Sequence, residues 1–114
     1  MAGAMPTITS AREIDTLFKS GRRAANQALL VMVLETPEAR ARQGRVLFVA
    51  GKRLGGAVTR NRAKRVLREA ARRAGGPWPG FDVALVAREG TITAGPAVLD
   101  AAVGEALTRL GVSP

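Results

Sequence analysis

The chain has 114 residues, 46% of them apolar, and a formal net charge of +9, which suits one domain with a single hydrophobic core rather than a disordered basic tail. Cysteine and histidine are both absent, which excludes disulfides, thiol nucleophiles and thiolate metal sites and removes the commonest general base. A charge so far from zero points to a polyanionic partner, and no apolar run approaches the roughly 18 residues that span a bilayer.

The opening MAGAMPTITS lacks the charged start and apolar core of a signal peptide, so a cytoplasmic protein is expected. Ser10-Ala11-Arg12-Glu13 reads as a capping box opening a helix over 10–19, with Ile14, Leu17 and Phe18 on one face and Gly21 as its stop. The apolar run Leu29 to Leu34 predicts a buried strand. The charged stretch Thr36 to Gly44, with Pro37, predicts a loop, and Arg45 to Ala50 a second strand antiparallel to the first. Gly51 to Gly56 carries Lys52 and Arg53 through a turn into a helix over 57–74, which Gly75-Gly76-Pro77 ends. Phe81 to Ala87 is a third strand, with Phe81, Val83 and Leu85 facing one way. Leu99, Val103, Ala106, Leu107 and Leu110 mark a C-terminal helix with Pro96 in its first turn. Helix, two strands, helix, strand, helix implies an α+β fold across a single domain, residues 1–114, with helices on one face of a sheet. In the loop after the second helix, the lone Trp78 reads as a packing anchor.

The charge is concentrated. Between Lys52 and Arg73 lie nine Lys/Arg and only Glu69, while the rest of the chain is nearly neutral. At 100° per residue, Ala63, Val66, Leu67, Ala70 and Ala74 share one side of the helix, with Thr59 at its edge. Asn61, Lys64, Arg65, Arg68 and Arg72 form the opposite stripe, flanked by Arg60, Arg62 and Arg73. A merely solvated face would mix signs; Arg60, Lys64, Arg68 and Arg72 instead repeat at i,i+4, a mutual repulsion that nothing within the chain is expected to offset. The stripe therefore reads as a phosphate-binding face, with arginine forks for phosphate and Asn61 able to donate and accept at a base edge or 2′-hydroxyl. A leucine-zipper basic region would continue into heptads, and this helix stops at Gly75.

The segment KRLGGAVTRNRAKRVLRE, residues 52–69, resembles the signature of the protein subunit of bacterial ribonuclease P, through Ala57-Val58, Arg60-Asn61-Arg62, Lys64-Arg65 and Arg68-Glu69. LFKSGRR (17–23), RVLFVAGKR (45–53) and FDVALVAR (81–88) extend the likeness. The resemblance implies a two-layer, ribosomal-protein-like α/β sandwich with a left-handed βαβ crossover through the signature helix, against the usual right-handed rule. It implies an accessory subunit that helps a catalytic RNA remove the 5′ leader of precursor tRNA, with magnesium held mainly by the RNA and no catalytic residue in the protein. Glu13, Asp15, Glu35, Glu38, Glu69, Asp82, Glu89, Asp100 and Glu105 form no dense acidic motif that would suit a self-contained two-metal nuclease.

Two surfaces follow from the resemblance. Lys52, Arg53, Arg60, Asn61, Arg62, Lys64, Arg65, Arg68 and Arg72 are expected to bind the ribonuclease P RNA. Phe18, Leu30, Met32, Val49, Gly51 and Lys52 are expected to line a cleft for the single-stranded leader, with Phe18 stacking on a base. Ile14 and Met32 stand where the family often has aromatics, which implies grip by apolar contact. Gly56 replaces the usual asparagine cap, and Leu47 takes a position that favours glycine. The expected partners are thus RNA, with no DNA and no membrane. The alternative is a structural RNA-binding protein, similar to a ribosomal protein, with no part in cleavage.

Overall fold

The computed structural model describes residues 5–36 and 43–112; most of the expected Thr36 to Gly44 loop, Glu38 included, lies outside them. Helix α1 (Ala11–Ser20) starts where the capping box predicts, the Ser10 hydroxyl accepting from the Glu13 N–H at 3.3 Å. Strands β1 (Arg22–Ala25), β2 (Leu29–Glu35), β3 (Arg45–Val49) and β4 (Phe81–Ala87) form one sheet in the order β1-β2-β4-β3. Between β3 and β4 the chain makes a short 3₁₀ turn (Lys52–Leu54) and the long helix α2 (Ala57–Arg73); α3 (Gly90–Thr93) and α4 (Pro96–Arg109) follow β4.

β3 runs opposite to β2, as expected, but it is not β2's neighbour. β4 lies between them, antiparallel to β2 and parallel to β3. A short charged loop suggests a hairpin to sequence reasoning; the α2 crossover instead brings β4 into the centre, where its apolar residues can be buried on both sides. Strand β1 was not foreseen, because RRAA carries no apolar alternation, and neither was the four-residue α3.

Register sorts the sheet into two faces. Val31 and Val33 of β2, Val83 and Leu85 of β4 and Val46 of β3 point one way and are fully buried beneath α2 and α4. From α2 this core takes Ala63, Leu67, Ala70 and Ala71. Ala71 replaces the expected Val66 and Ala74, which are half-buried, because α2 packs sideways on α3 and α4 as well as down onto the sheet. The expected anchors Leu99, Val103, Ala106, Leu107 and Leu110 of α4 and the fully buried Trp78 complete it. Helices on one face only was too simple. α1 covers part of the opposite face, where Leu17 joins Ile8, Met32 and Ala84 in a second cluster.

α2 and α4 end alike. Gly75 and Gly111 adopt positive φ of 95° and 75°. The next residue in each case donates back a full turn, Gly76 to the Ala71 carbonyl at 2.9 Å and Val112 to the Leu107 carbonyl at 3.0 Å. This is the left-handed glycine cap that satisfies the last carbonyls of a helix.

Candidate nucleic-acid interface

The two arginines of β1 occupy successive strand positions and so point to opposite faces. Arg22 donates to the Leu110 carbonyl at the end of α4, at 2.7 Å, and Arg23 donates to the Phe18 carbonyl near the end of α1. Cations at these carbonyl-rich ends complement the helix dipoles. Arg109 donates to the Ala25 carbonyl and pairs with Glu105, and Lys19 pairs with Asp15. Arg45, 14% exposed, grips Glu13 of α1 through two bonds of 3.1 and 2.8 Å and Asp82 of β4 at 3.0 Å. Thr36 donates to Asp82 at 3.3 Å. The hydrogen bonds to Glu13, and then those to Asp82, raise the pKa of Arg45 against the opposing effect of burial, which fixes its charge.

Most of the described cations outside the 52–73 segment are therefore spent on internal partners. Within it the balance reverses. Among the described residues, Lys52, Arg53, Arg60, Arg62, Lys64, Arg65 and Arg72 make no hydrogen bond or ion pair, and neither does Asn61. Asn61, Arg62, Arg65, Arg68 and Arg72 are exposed on α2, with Arg60 and Lys64 half-buried at its flank. Lys52 and Arg53 stand exposed on the 3₁₀ turn. Arg68 lies 5.4 Å from the centre of the Phe48 ring, a cation–π contact that orients it along β3.

Arg60, Lys64, Arg68 and Arg72, the series expected to repel without relief, gain no acidic partner among the described residues; the flanking Arg73 differs. Arg73 is held by Asp100 of α4 through three hydrogen bonds of 2.9–3.0 Å, which raise its pKa and take it out of the free stripe. The pairing is not visible in the sequence, because 27 residues separate the partners. At the other end of α2, Gly56 is the N-cap without a side-chain bond, and the first turn carries no acid. The start of the helix thus keeps its positive potential.

On the second sheet face the cross-strand register lines up Leu30, Val86 and Val49 in one row. All three are half-buried, and α1 leaves this row open beside Phe18. Two expected leader residues, Leu30 and Val49, therefore meet through Val86, which sequence reasoning missed although it alternates with Leu85. Phe18 is half-buried against the Leu17–Met32–Ala84 cluster. Met32 is fully buried beneath α1, so it supports the cleft from below and offers no surface of its own. Gly51 is exposed at the end of β3, where even a β-carbon would meet nothing within 4 Å.

The row continues into a cavity of about 870 Å³ at the ends of β3 and β4, lined by Val49, Gly51, Val86 and Leu54 and bordered by Arg53, Arg88 and Glu89. Arg88 is exposed, makes no side-chain bond among the described residues, and was not singled out from sequence. No group of three or more acidic side chains among the described residues is placed to hold a metal ion. Among the described residues, no helix is long and apolar enough to cross a membrane.

The family profile of Ribonuclease P matches residues 5–111. The ribonuclease P protein component of Symbiobacterium thermophilum is 41% identical over 81 residues, covering 68% of this chain and 66% of that protein. The component of Roseiflexus sp. is 44% identical over 85 residues, covering 72% and 69%. Among solved structures, the RNase P protein of Thermotoga maritima superposes with a TM-score of 0.67 at 28% identity, over 91% of this chain and 93% of that one. The Staphylococcus aureus RNase P protein gives a TM-score of 0.79 at 21% identity, over 95% and 97%, a likeness of fold.

Proposed function

The chain belongs to the ribonuclease P protein family, and we propose that it is the protein component of a bacterial ribonuclease P that docks on the catalytic RNA through α2 and holds the 5′ leader of precursor tRNA beside α1. The observation that carries this reading is the division of labour among its cations. Arg22, Arg23, Arg45, Arg73 and Arg109 are tied into the fold, whereas Arg60, Arg62, Lys64, Arg65 and Arg72 of α2 and Lys52 and Arg53 of the 3₁₀ turn make no hydrogen bond or ion pair among the described residues. Unpaired guanidinium groups at fixed spacing suit a rigid, phosphate-rich RNA surface. Asn61, set among them, supplies the acceptor that arginine lacks.

The leader surface is supported by the opening between Phe18 and the Leu30–Val86–Val49 row, with Arg53 and Arg88, and one acid, Glu89, around its end. An apolar floor with cations at the margin is how single strands are bound without strict sequence readout. The protein itself acts as an accessory subunit. Three of its carboxylates already serve the fold: Glu13 and Asp82 hold Arg45, and Asp100 holds Arg73. The metal that serves the cleavage belongs on this reading to the RNA.

The test is cleavage of a precursor tRNA by a bacterial ribonuclease P RNA at low, near-physiological magnesium, with and without the protein. Strong stimulation at the correct 5′ site, with none from protein alone, is expected. Tight RNA binding without stimulation would instead identify a structural RNA-binding protein.

A further inference from the structure

Helix α1 is ten residues long and has only Leu17 fully buried. A helix this short is marginal by itself, and its apolar contact is limited to Leu17 and the half-buried Ile14 and Phe18. Two polar attachments define it. Near its start, Glu13 is gripped by Arg45 of the edge strand β3, which also pairs with Asp82 of the central strand β4. Near its end, the Phe18 carbonyl takes the guanidinium of Arg23 from the opposite edge strand β1. Both arginines lie on the face of the sheet that α1 covers, as register requires. The helix is thus pinned to both edges of the sheet, with Phe18 packed against the same cluster as Leu30 and Val86.

We propose that Arg45 and Arg23 are positioning residues for the leader: by fixing opposite ends of α1 to opposite edge strands they hold Phe18 at a set distance from the Leu30–Val86–Val49 row and so define the width of the cleft. The inference rests on the leader reading above and deepens it. Neither arginine needs to touch the leader, and Glu13, an acid, would repel it. That gives the inference a sign. If Glu13 acts only as a charge near an anionic strand, Glu13→Gln strengthens leader binding; if it is the anchor of α1, Glu13→Gln weakens it.

The experiment measures the affinity of the protein–RNA holoenzyme for precursor tRNA with a leader and for mature tRNA. The expected result for Glu13→Gln is a preference for the leader-bearing form reduced by about three- to tenfold, less than the whole value of a base contact, with affinity for the ribonuclease P RNA alone within about twofold of wild type. A preference left intact or increased overturns the inference. Equal loss for leader-bearing and mature tRNA also overturns it, because it reports general unfolding. A second variant, Arg23→Ala, changes an exposed side chain with little risk to the fold. Loss of leader preference at an unchanged salt dependence supports positioning, whereas a salt slope shallower by about 0.7 identifies Arg23 as a phosphate contact and overturns its assigned role. A wild-type holoenzyme with no leader preference would overturn the leader reading itself together with this inference.

Discussion

Arg62 and Arg73 lie on the same helix, carry the same charge and are both exposed, yet only Arg73 has a partner, Asp100. Their substitutions therefore separate. Arg62→Ala should weaken binding to the ribonuclease P RNA and flatten its salt dependence by about 0.7–0.9 in log–log slope, the signature of one lost phosphate contact. Arg73→Ala should leave that slope nearly unchanged, and titrations at several salt concentrations distinguish the two. Phe18→Ala should reduce affinity for leader-bearing tRNA by about 1–3 kcal/mol if a base stacks on it, with mature tRNA unaffected. At Gly56 the backbone is extended and a β-carbon would meet nothing, so Gly56→Ser should gain a few tenths of a kcal/mol, about what a side-chain cap adds over glycine, visible as a raised Tm.

Elements with long apolar periodicity were legible in the sequence: α1 with its cap, α2, α4, and strands β2, β3 and β4. Strand β1 was not. Its place comes from pairing with β2 and from Arg22 and Arg23 reaching helix ends far along the chain, and neither partner is local. The order of strands was hidden for a similar reason, since the position of β4 depends on the α2 crossover. For the site, the free cations of α2 could be named from spacing, whereas Val86 and Arg88 became visible only once the row and the cavity were assembled. The Glu13–Arg45–Asp82 network also joins elements that only the fold brings together. Arg45→Met should destabilise the protein by about 1–3 kcal/mol, because Asp82 and the more exposed Glu13 would each lose the ion pair with Arg45; chemical denaturation measures it. The cost should exceed that of removing any free cation of α2, which stabilises nothing inside the fold.

At the scale of the molecule, the sheet separates the two proposed surfaces. One face carries the main core and, through α2, the expected RNA-docking surface; the other carries α1 and the cleft. Five cations of α2 without internal partners, Arg60, Arg62, Lys64, Arg65 and Arg72, predict a salt slope of about −4 for RNA binding if each meets one phosphate. A slope near −1 would show that most of them face solvent in the complex.

The clasp between Arg73 and Asp100 has a consequence for how such a surface can change over time. The reach of the docking face is limited by an acid on another helix, outside the face itself. Loss of that acid, as in Asp100→Asn, would release a ready-made cation at the end of the stripe without altering α2. The footprint on RNA could then lengthen in a single mutational step. On the proposed reading, a reserve of binding strength is thus stored in the packing of two helices, and drift at Asp100 can draw upon it or lock it away.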